Sequence, residues 1–332
     1  MNPVYECGIN LIIGLQAAAP WLKAPMQFFS FLGTEEFFLF FLPFLYWCVD
    51  ARLGVRVGVM LSLSNSVNGF FKLAFHQPRP YWLSRQVQPG VSETSYGIPS
   101  GHAQHATTIW GVVGSAGRNW LRWLMAAMIF FIGFSRIVLA VHFPTDMLAG
   151  WLIGGLLLWA FLKWETPVIN WFNRFTLAQK IGLAFAASMV LLVIALAGLA
   201  FVPPADPPEW EANAAHFFPP EAGETAINPR DTTGEVGVMG TFFGLSAGVI
   251  LLFHRGGYDA RGEWWKRGVR FVIGVIGVAI LWLGLRMIFP RDASLVSQVL
   301  RYARYALTGF WVAYGAPWVF LRLGLGQRSG LR

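Results

Sequence analysis

Residues 135–163 read SRIVLAVHFPTDMLAGWLIGGLLLWAFLK. From Pro144 onward the stretch is an apolar run of about 20 residues, the length a helix needs to cross the hydrocarbon core of a bilayer. Pro144 suits the first position of a helix, where its missing N–H costs nothing and its fixed φ is already helical. Immediately upstream, Ser135, Arg136 and His142 gather polar groups at the edge of that run, and Asp146 falls in its first turn. Ionisable groups beside a membrane helix are costly and call for a reason.

The rest of the chain has the same character. Of its 332 residues 55% are hydrophobic and only 13% charged, with 29 Phe and 16 Trp, and the mean hydropathy is +0.52. A water-soluble globule carries about a quarter charged residues, so lipid must be the solvent for much of this protein. The expected fold class is therefore all-α, a polytopic membrane helical bundle. Nine stretches are candidate spans: 31–49, 53–74, 102–117, 123–141, 144–163, 179–202, 236–253, 270–289 and 305–323. Residues 7–22 are apolar but short, contain Pro20 and follow Glu6 rather than a basic leader, so residues 1–30 are read as a retained interfacial helix. With Cys7 and Cys48 as the only cysteines, a disulfide scaffold is excluded. The net charge of +8 is scattered among apolar runs with no arginine-rich tract, which argues against nucleic acid as a partner.

Lysine and arginine recur at every second junction: Arg52 and Arg56; Arg118 and Arg122; Lys163, Arg174 and Lys180; the cluster from Arg255 to Arg270; and Arg322, Arg328 and Arg332 in the tail. The positive-inside rule places that side in the cytoplasm. The longest loop on the other side, 203–235, holds seven acids against Arg230, and six prolines in 203–220 mark it as irregular. Glycines at helical spacing, Gly150 and Gly154 or Gly240, Gly244 and Gly248, suit close packing between helices.

Three clusters at the remaining external junctions carry chemistry. Lys72 and Arg79-Pro80 close the second span, Pro99-Ser100-Gly101-His102 opens the third, and Ser135-Arg136 with His142 and Asp146 bridges the fourth and fifth. Lys72, Arg79 and Arg136 are three cations with no sequence-near carboxylate other than Asp146, and a multiply charged anion is their natural partner. Arginine offers a planar fork that matches phosphate oxygens, and lysine a compact point charge. The backbone N–H groups of Ser100 and Gly101, at a helix N-terminus, can point at the same anion. His142 stands four residues before Asp146, so the carboxylate can take a hydrogen bond from one ring nitrogen and leave the other to attack, the usual sign of an activated nucleophile. His102 can protonate a leaving oxygen. The three cations and the backbone N–H groups can stabilise a transferring phosphoryl group, so no metal or other cofactor is expected. His102 and His105 have a ligand-like spacing, but no Cys or carboxylate joins them. Taken singly, each group has a plainer explanation: arginines at span ends reach for headgroups and lone histidines cap helices. Their joint occurrence on one face favours a site.

Lys-x6-Arg-Pro (Lys72 to Pro80), Pro-Ser-Gly-His (Pro99 to His102) and Ser-Arg-x5-His-x3-Asp (Ser135 to Asp146) resemble, without gap or substitution, the three motifs of the type 2 phosphatidic acid phosphatase superfamily, which includes the vanadium haloperoxidases. The resemblance covers roughly residues 30–163. It implies a core of about six helices over residues 31–178, followed by an extension of about three transmembrane helices over 179–332 that carries the 203–235 loop. It further implies that His142 forms a phosphohistidine, that His102 protonates the leaving group, and that Asp146 orients His142. Lys72, Arg79, Ser100, Gly101 and Arg136 would hold the phosphate. The nine-span layout is similar to that of sphingosine-1-phosphate phosphatases and glucose-6-phosphatase, and Gly33-Thr-Glu-Glu-Phe-Phe resembles the former. The expected activity is a membrane phosphatase acting on a phosphate monoester or diphosphate, foremost of a lipid, with the site on the extracytoplasmic face and membrane lipids as surroundings. Phosphotransfer to an alcohol, hydrolysis of a sugar phosphate, and a transporter or scaffold that kept the fold stay open.

Overall fold

The computed structural model describes residues 2–290, 292 and 294–329; Arg332, counted above among the tail cations, lies outside them. Among the described residues the helices run, in chain order, α1 (Pro3–Ala18), α2 (Lys23–Phe31), α3 (Glu35–Phe44), α4 (Ala51–Phe75), α5 (Pro80–Leu83), α6 (Gly101–Ser115), α7 (Asn119–Val138), α8 (Pro144–Phe172), α9 (Leu177–Ala197), α10 (Pro208–Phe217), α11 (Thr233–His254), α12 (Trp264–Ile288), α13 (Leu295–Phe310) and α14 (Ala316–Arg322). No strand forms among them beyond an isolated bridge between Asp259 and Gln327. The all-α expectation is met.

Among the described residues five helices, α7, α8, α9 with its 3-10 extension, α11 and α12, are long and apolar enough to cross a membrane, and the bent pair Pro20–Phe31 and Glu35–Val49 makes up to six. The nine-span reading is therefore not matched. The three remaining stretches are helical but different in kind. α6 has 15 residues, short of the roughly 20 a span needs. α4 buries Ser62, Ser64, Ser66 and Asn68 inside protein, and α13 carries Arg301 and Arg304 and passes through a π-helical turn before α14. A hydropathy run identifies burial without saying whether lipid or protein does the burying. α12 shows the lipid case: Ile280, Met287 and Ile288 are all exposed on a helix of mean hydropathy 2.3.

By internal contacts the chain divides into two units, Met1–Phe37 with Val67–Trp159 and Ile194–Asp231, and Phe38–Ser66 with Ala160–Val193 and Thr232–Arg332. In the first, α7 packs on α2 and α6, and α10 packs on α5. Tyr81, Trp82, Tyr96, Val141 and Phe143 form its buried core. Tyr5 of α1 stacks obliquely on Phe143 at 5.1 Å between ring centroids. α8 closes on α6 through glycine: a Cβ at Gly150 would stand 2.7 Å from the Ser100 carbonyl, and one at Gly154 2.9 Å from the Gln104 carbonyl. The 203–235 loop is less irregular than its prolines imply. Pro208 starts α10, where a proline is tolerated because the first N–H has no intrahelical partner, and Glu209 and Glu211 sit in the first turn, at the positive end of the helix dipole.

In the second unit Gly240, Gly244 and Gly248 let α11 lie directly on α13 and the π-helical turn after it; a Cβ on Gly244 would overlap the Ala306 carbonyl. Gly244→Ala is expected to cost about 1–3 kcal/mol by overpacking, read as a lower unfolding midpoint in detergent. Gly182→Ala, whose Cβ would meet nothing within 4 Å, is the control and should hold or raise the midpoint.

Candidate active site

All the predicted site residues lie in the first unit. The last turn of α4 carries Lys72, and Arg79 precedes α5. A loop over 84–100 then leads to α6, where Ser100 is the N-cap, its Oγ accepting from the Ala103 N–H at 3.4 Å. Arg136 lies near the end of α7, and a tight turn carries His142 to α8. Ala140 in that turn has φ 60°, a left-handed conformation that costs a non-glycine residue about 1–2 kcal/mol. It lets the chain reverse within four residues, so that His142 and Asp146 meet.

Arg79 is fully buried and spends its donors methodically. Nε donates to the Ser95 carbonyl at 2.6 Å. Nη1 donates to the Val141 carbonyl at 3.0 Å and to His142 Nε2 at 3.1 Å. Nη2 donates to Ser95 Oγ at 3.1 Å and the Tyr96 carbonyl at 3.3 Å. Lys72 Nζ donates to that same carbonyl at 2.5 Å and to Ser95 Oγ at 3.2 Å. His142 Nδ1 is 3.2 Å from Asp146 Oδ2, which also accepts the Phe143 N–H at 3.0 Å. A guanidinium only donates, so His142 Nε2 must carry its lone pair and Nδ1 its proton, directed at Asp146. Burial, then the charges of Arg79, Lys72, Arg136 and His102, hold the imidazole well below the usual histidine range. It is a neutral ring with an available lone pair beside cations.

His102 lies close enough to act electrostatically on both Glu93 and His142, and its Nε2 has no hydrogen-bond partner among the described residues. A Cβ at Gly33 would come within 2.7 Å of its ring, so the start of the Gly33-Thr-Glu-Glu stretch is pressed against it. Ser100 is placed differently from expectation. Its N–H donates to the Asp146 carbonyl at 2.9 Å and is spent on joining α6 to α8, which leaves Gly101 at the head of the helix. Among the described residues no group of three or more His, Cys, Asp or Glu is spaced to hold a metal ion.

Sequence reasoning missed Glu93. Its carboxylate bridges the two arginines, with Oε2 3.3 Å from Arg79 Nη2 and Oε1 on Arg136 Nη2, while Arg136 Nη1 donates to Ser30 Oγ. The expectation that Asp146 was the only carboxylate near the cations is thus corrected. Burial alone would raise the Glu93 carboxyl, but Arg79, Arg136, His102 and Lys72 override it and hold it at about 2. The arginine side chains are 1% exposed and that of Glu93 24%, so the carboxylate sits on their open side. The one available signal was that Glu93 is the sole acid in residues 83–98.

The PAP2 superfamily matches residues 53–169, which span all three motifs, and the family described as PAP2 superfamily phosphatase, transmembrane extension, matches residues 236–328. The chain belongs to the PAP2 superfamily. The resemblance to type 2 phosphatidic acid phosphatases is borne out, and the protein is an integral membrane phosphoric ester hydrolase. Among PAP2 relatives, glucose-6-phosphatase 3 of Bos taurus is 24% identical over 350 residues, covering 96% of each chain. Sphingosine-1-phosphate phosphatase 2 of Mus musculus is 31% identical over 141 residues, 40% of this chain and 39% of its own. The crystal structure of Aquifex aeolicus LpxE superposes on 47% of this chain and 95% of that one with 25% identity and a TM-score of 0.42. Residues 203–231 fall between the two PAP2 matches.

Proposed function

We propose that the protein hydrolyses a lipid phosphate monoester or diphosphate at the extracytoplasmic surface of its membrane, through a phosphohistidine at His142. The observation that carries the chemistry is the His142 ring, fixed between Asp146 and Arg79 with its Nε2 lone pair beside the cations. The substrate phosphoryl group enters on the Glu93 side, and its oxygens take up the Arg79, Arg136 and Lys72 donors together with the Gly101 N–H. Nε2 attacks phosphorus as the ester P–O bond breaks, and the leaving oxygen takes a proton from His102. A water then gives a proton back to His102 and attacks phosphorus. The P–N bond breaks, inorganic phosphate leaves and His142 is restored. Asp146 holds the Nδ1 proton throughout and stabilises the positive ring of the intermediate. The fixed cations stabilise the charge on the transferring group in place of a metal. The basic residues Arg255, Arg261, Lys266 and Arg267 after α11, at the opposite end of that span from the acidic 203–231 segment whose Asp206 binds Tyr96 of the site, support the external orientation.

The lipid reading draws on relatives named for lipid substrates, sphingosine-1-phosphate phosphatase 2 and the phosphatidylglycerophosphatase B of Bacillus subtilis. The end-to-end match to glucose-6-phosphatase 3 favours a second reading, a sugar phosphate. Purified protein in detergent, given both substrate classes in EDTA with and without vanadate, separates them by which class releases phosphate. Vanadate-insensitive release, or release that EDTA abolishes, would contradict the mechanism.

The depressed pKa of His142 sets a sign for the pH profile. A nucleophile that protonates only below the ordinary value of 6.5 stays active as pH falls through that value. The acid limb of kcat/KM that His142 sets should therefore lie below 6.5. An acid limb centred at or above the ordinary histidine value would contradict the assignment.

A further inference from the structure

Lys72 and Arg79 are aimed by a strap of the 84–100 loop. Ser95 and Tyr96 accept five hydrogen bonds from them, on two carbonyls and one hydroxyl. At one end the strap is fixed by Gly97, whose N–H donates to the Gln77 carbonyl at 2.8 Å and where a Cβ would lie 2.8 Å from the Pro78 carbonyl. Its other anchorage comes from far along the chain. The fully buried Tyr96 donates its hydroxyl to Asp206 Oδ1 at 2.8 Å. Arg230 holds the other oxygen of Asp206, with Nε at 3.2 Å and Nη2 at 3.0 Å, and is itself tied to the Pro204 carbonyl at 2.9 Å. Beside them the Asn228 N–H donates to the Thr94 carbonyl at 3.1 Å.

We propose that Asp206 and Arg230 are positioning residues for the phosphate cradle, acting through Tyr96. The proposal rests on the reading above in which Lys72 and Arg79 hold the phosphate. The carbonyl of Tyr96 receives both cations while its hydroxyl is clamped by Asp206, so one residue couples the clamp to the cradle. Burial and the bond to Asp206 push the Tyr96 hydroxyl up to about 12, so it remains a donor at any working pH. A displacement of about 1 Å in a positioning group can cost on the order of 100-fold in rate, and a strap loosened at one end would move both cations together. The segment that connects the two PAP2 matches thereby becomes part of the site's frame.

The test is the full-length enzyme with Tyr96→Phe, Asp206→Asn and the double variant, measuring kcat, KM and inhibition by inorganic phosphate. Each single change is expected to raise the phosphate inhibition constant and KM by about 10-fold with a smaller loss in kcat, since a loosened cradle binds less well. The double variant should be no worse than Tyr96→Phe alone, because without the Tyr96 hydroxyl the Asp206–Arg230 pair has no path to the cradle. Arg230→Lys, which keeps the charge, should fall between wild type and Asp206→Asn and guards against a variant that fails to fold. A lowered thermal midpoint with unchanged inhibition and unchanged KM would overturn the proposal, as would additive losses in the double variant. A wild type that neither releases phosphate nor binds it would instead remove the functional reading, and this proposal with it.

Discussion

His142→Ala is expected to lower phosphate release by about 1,000-fold or more, with KM little changed. Removing a nucleophile that acts as a unit with its partners costs orders of magnitude in rate, whereas the cations that would bind substrate, Lys72, Arg79 and Arg136, keep their contacts to Ser95, Tyr96 and Ser30. Asp146 also keeps its bonds from Phe143 and Thr145, so the turn should hold. His142→Gln refines the test: its amide can still donate to Asp146 but has no basic nitrogen to attack phosphorus. A rapid alkaline quench of wild type with labelled substrate should leave an alkali-stable, acid-labile phosphoprotein that both variants lack. Equal phosphate release by wild type and His142→Ala would end the mechanism.

Arg79→Lys should be nearly as damaging, a loss of about 100–1,000-fold in kcat/KM, the scale seen when one preorganised donor to a developing charge is removed. A lysine keeps the charge but not the fork. It cannot reach Ser95, Val141 and His142 at once, as Nε and Nη1 of Arg79 do, so the substitution is not conservative. His142 would also lose the donor on Nε2 that fixes its tautomer. The loss should appear mainly in kcat/KM, with the thermal midpoint falling only modestly. Activity within threefold of wild type would show that charge alone suffices at this position.

The sequence made the local parts of this site legible. Residues 135–163 declare a helix because Pro144 can only begin one there, and the i, i+4 spacing of His142 and Asp146 follows from it. Ser100 could be read as a helix start from Pro-Ser-Gly. Parts joined across long separations could not be read. Glu93 meets Arg136 across 43 positions and Tyr96 meets Asp206 across 110, through loops with no periodicity to align them. The nine-span count is not matched for a related reason. α4 and α6 lie in apolar stretches of the sequence, yet Asn68 of α4 bonds Gln104 of α6 at 2.9 Å, a protein-filled interior that an apolar run does not distinguish from lipid.

The bridge made by Glu93 bears on turnover. A carboxylate tethered beside two guanidiniums acts at an effective concentration in the millimolar range or higher, so it competes with any free anion for the same donors. On the proposed function, orthophosphate left behind after hydrolysis would meet this resident rival, and its departure would restore the ion pairs with Arg79 and Arg136. An enzyme built this way would be expected to release its product readily even when the surrounding solution is rich in it.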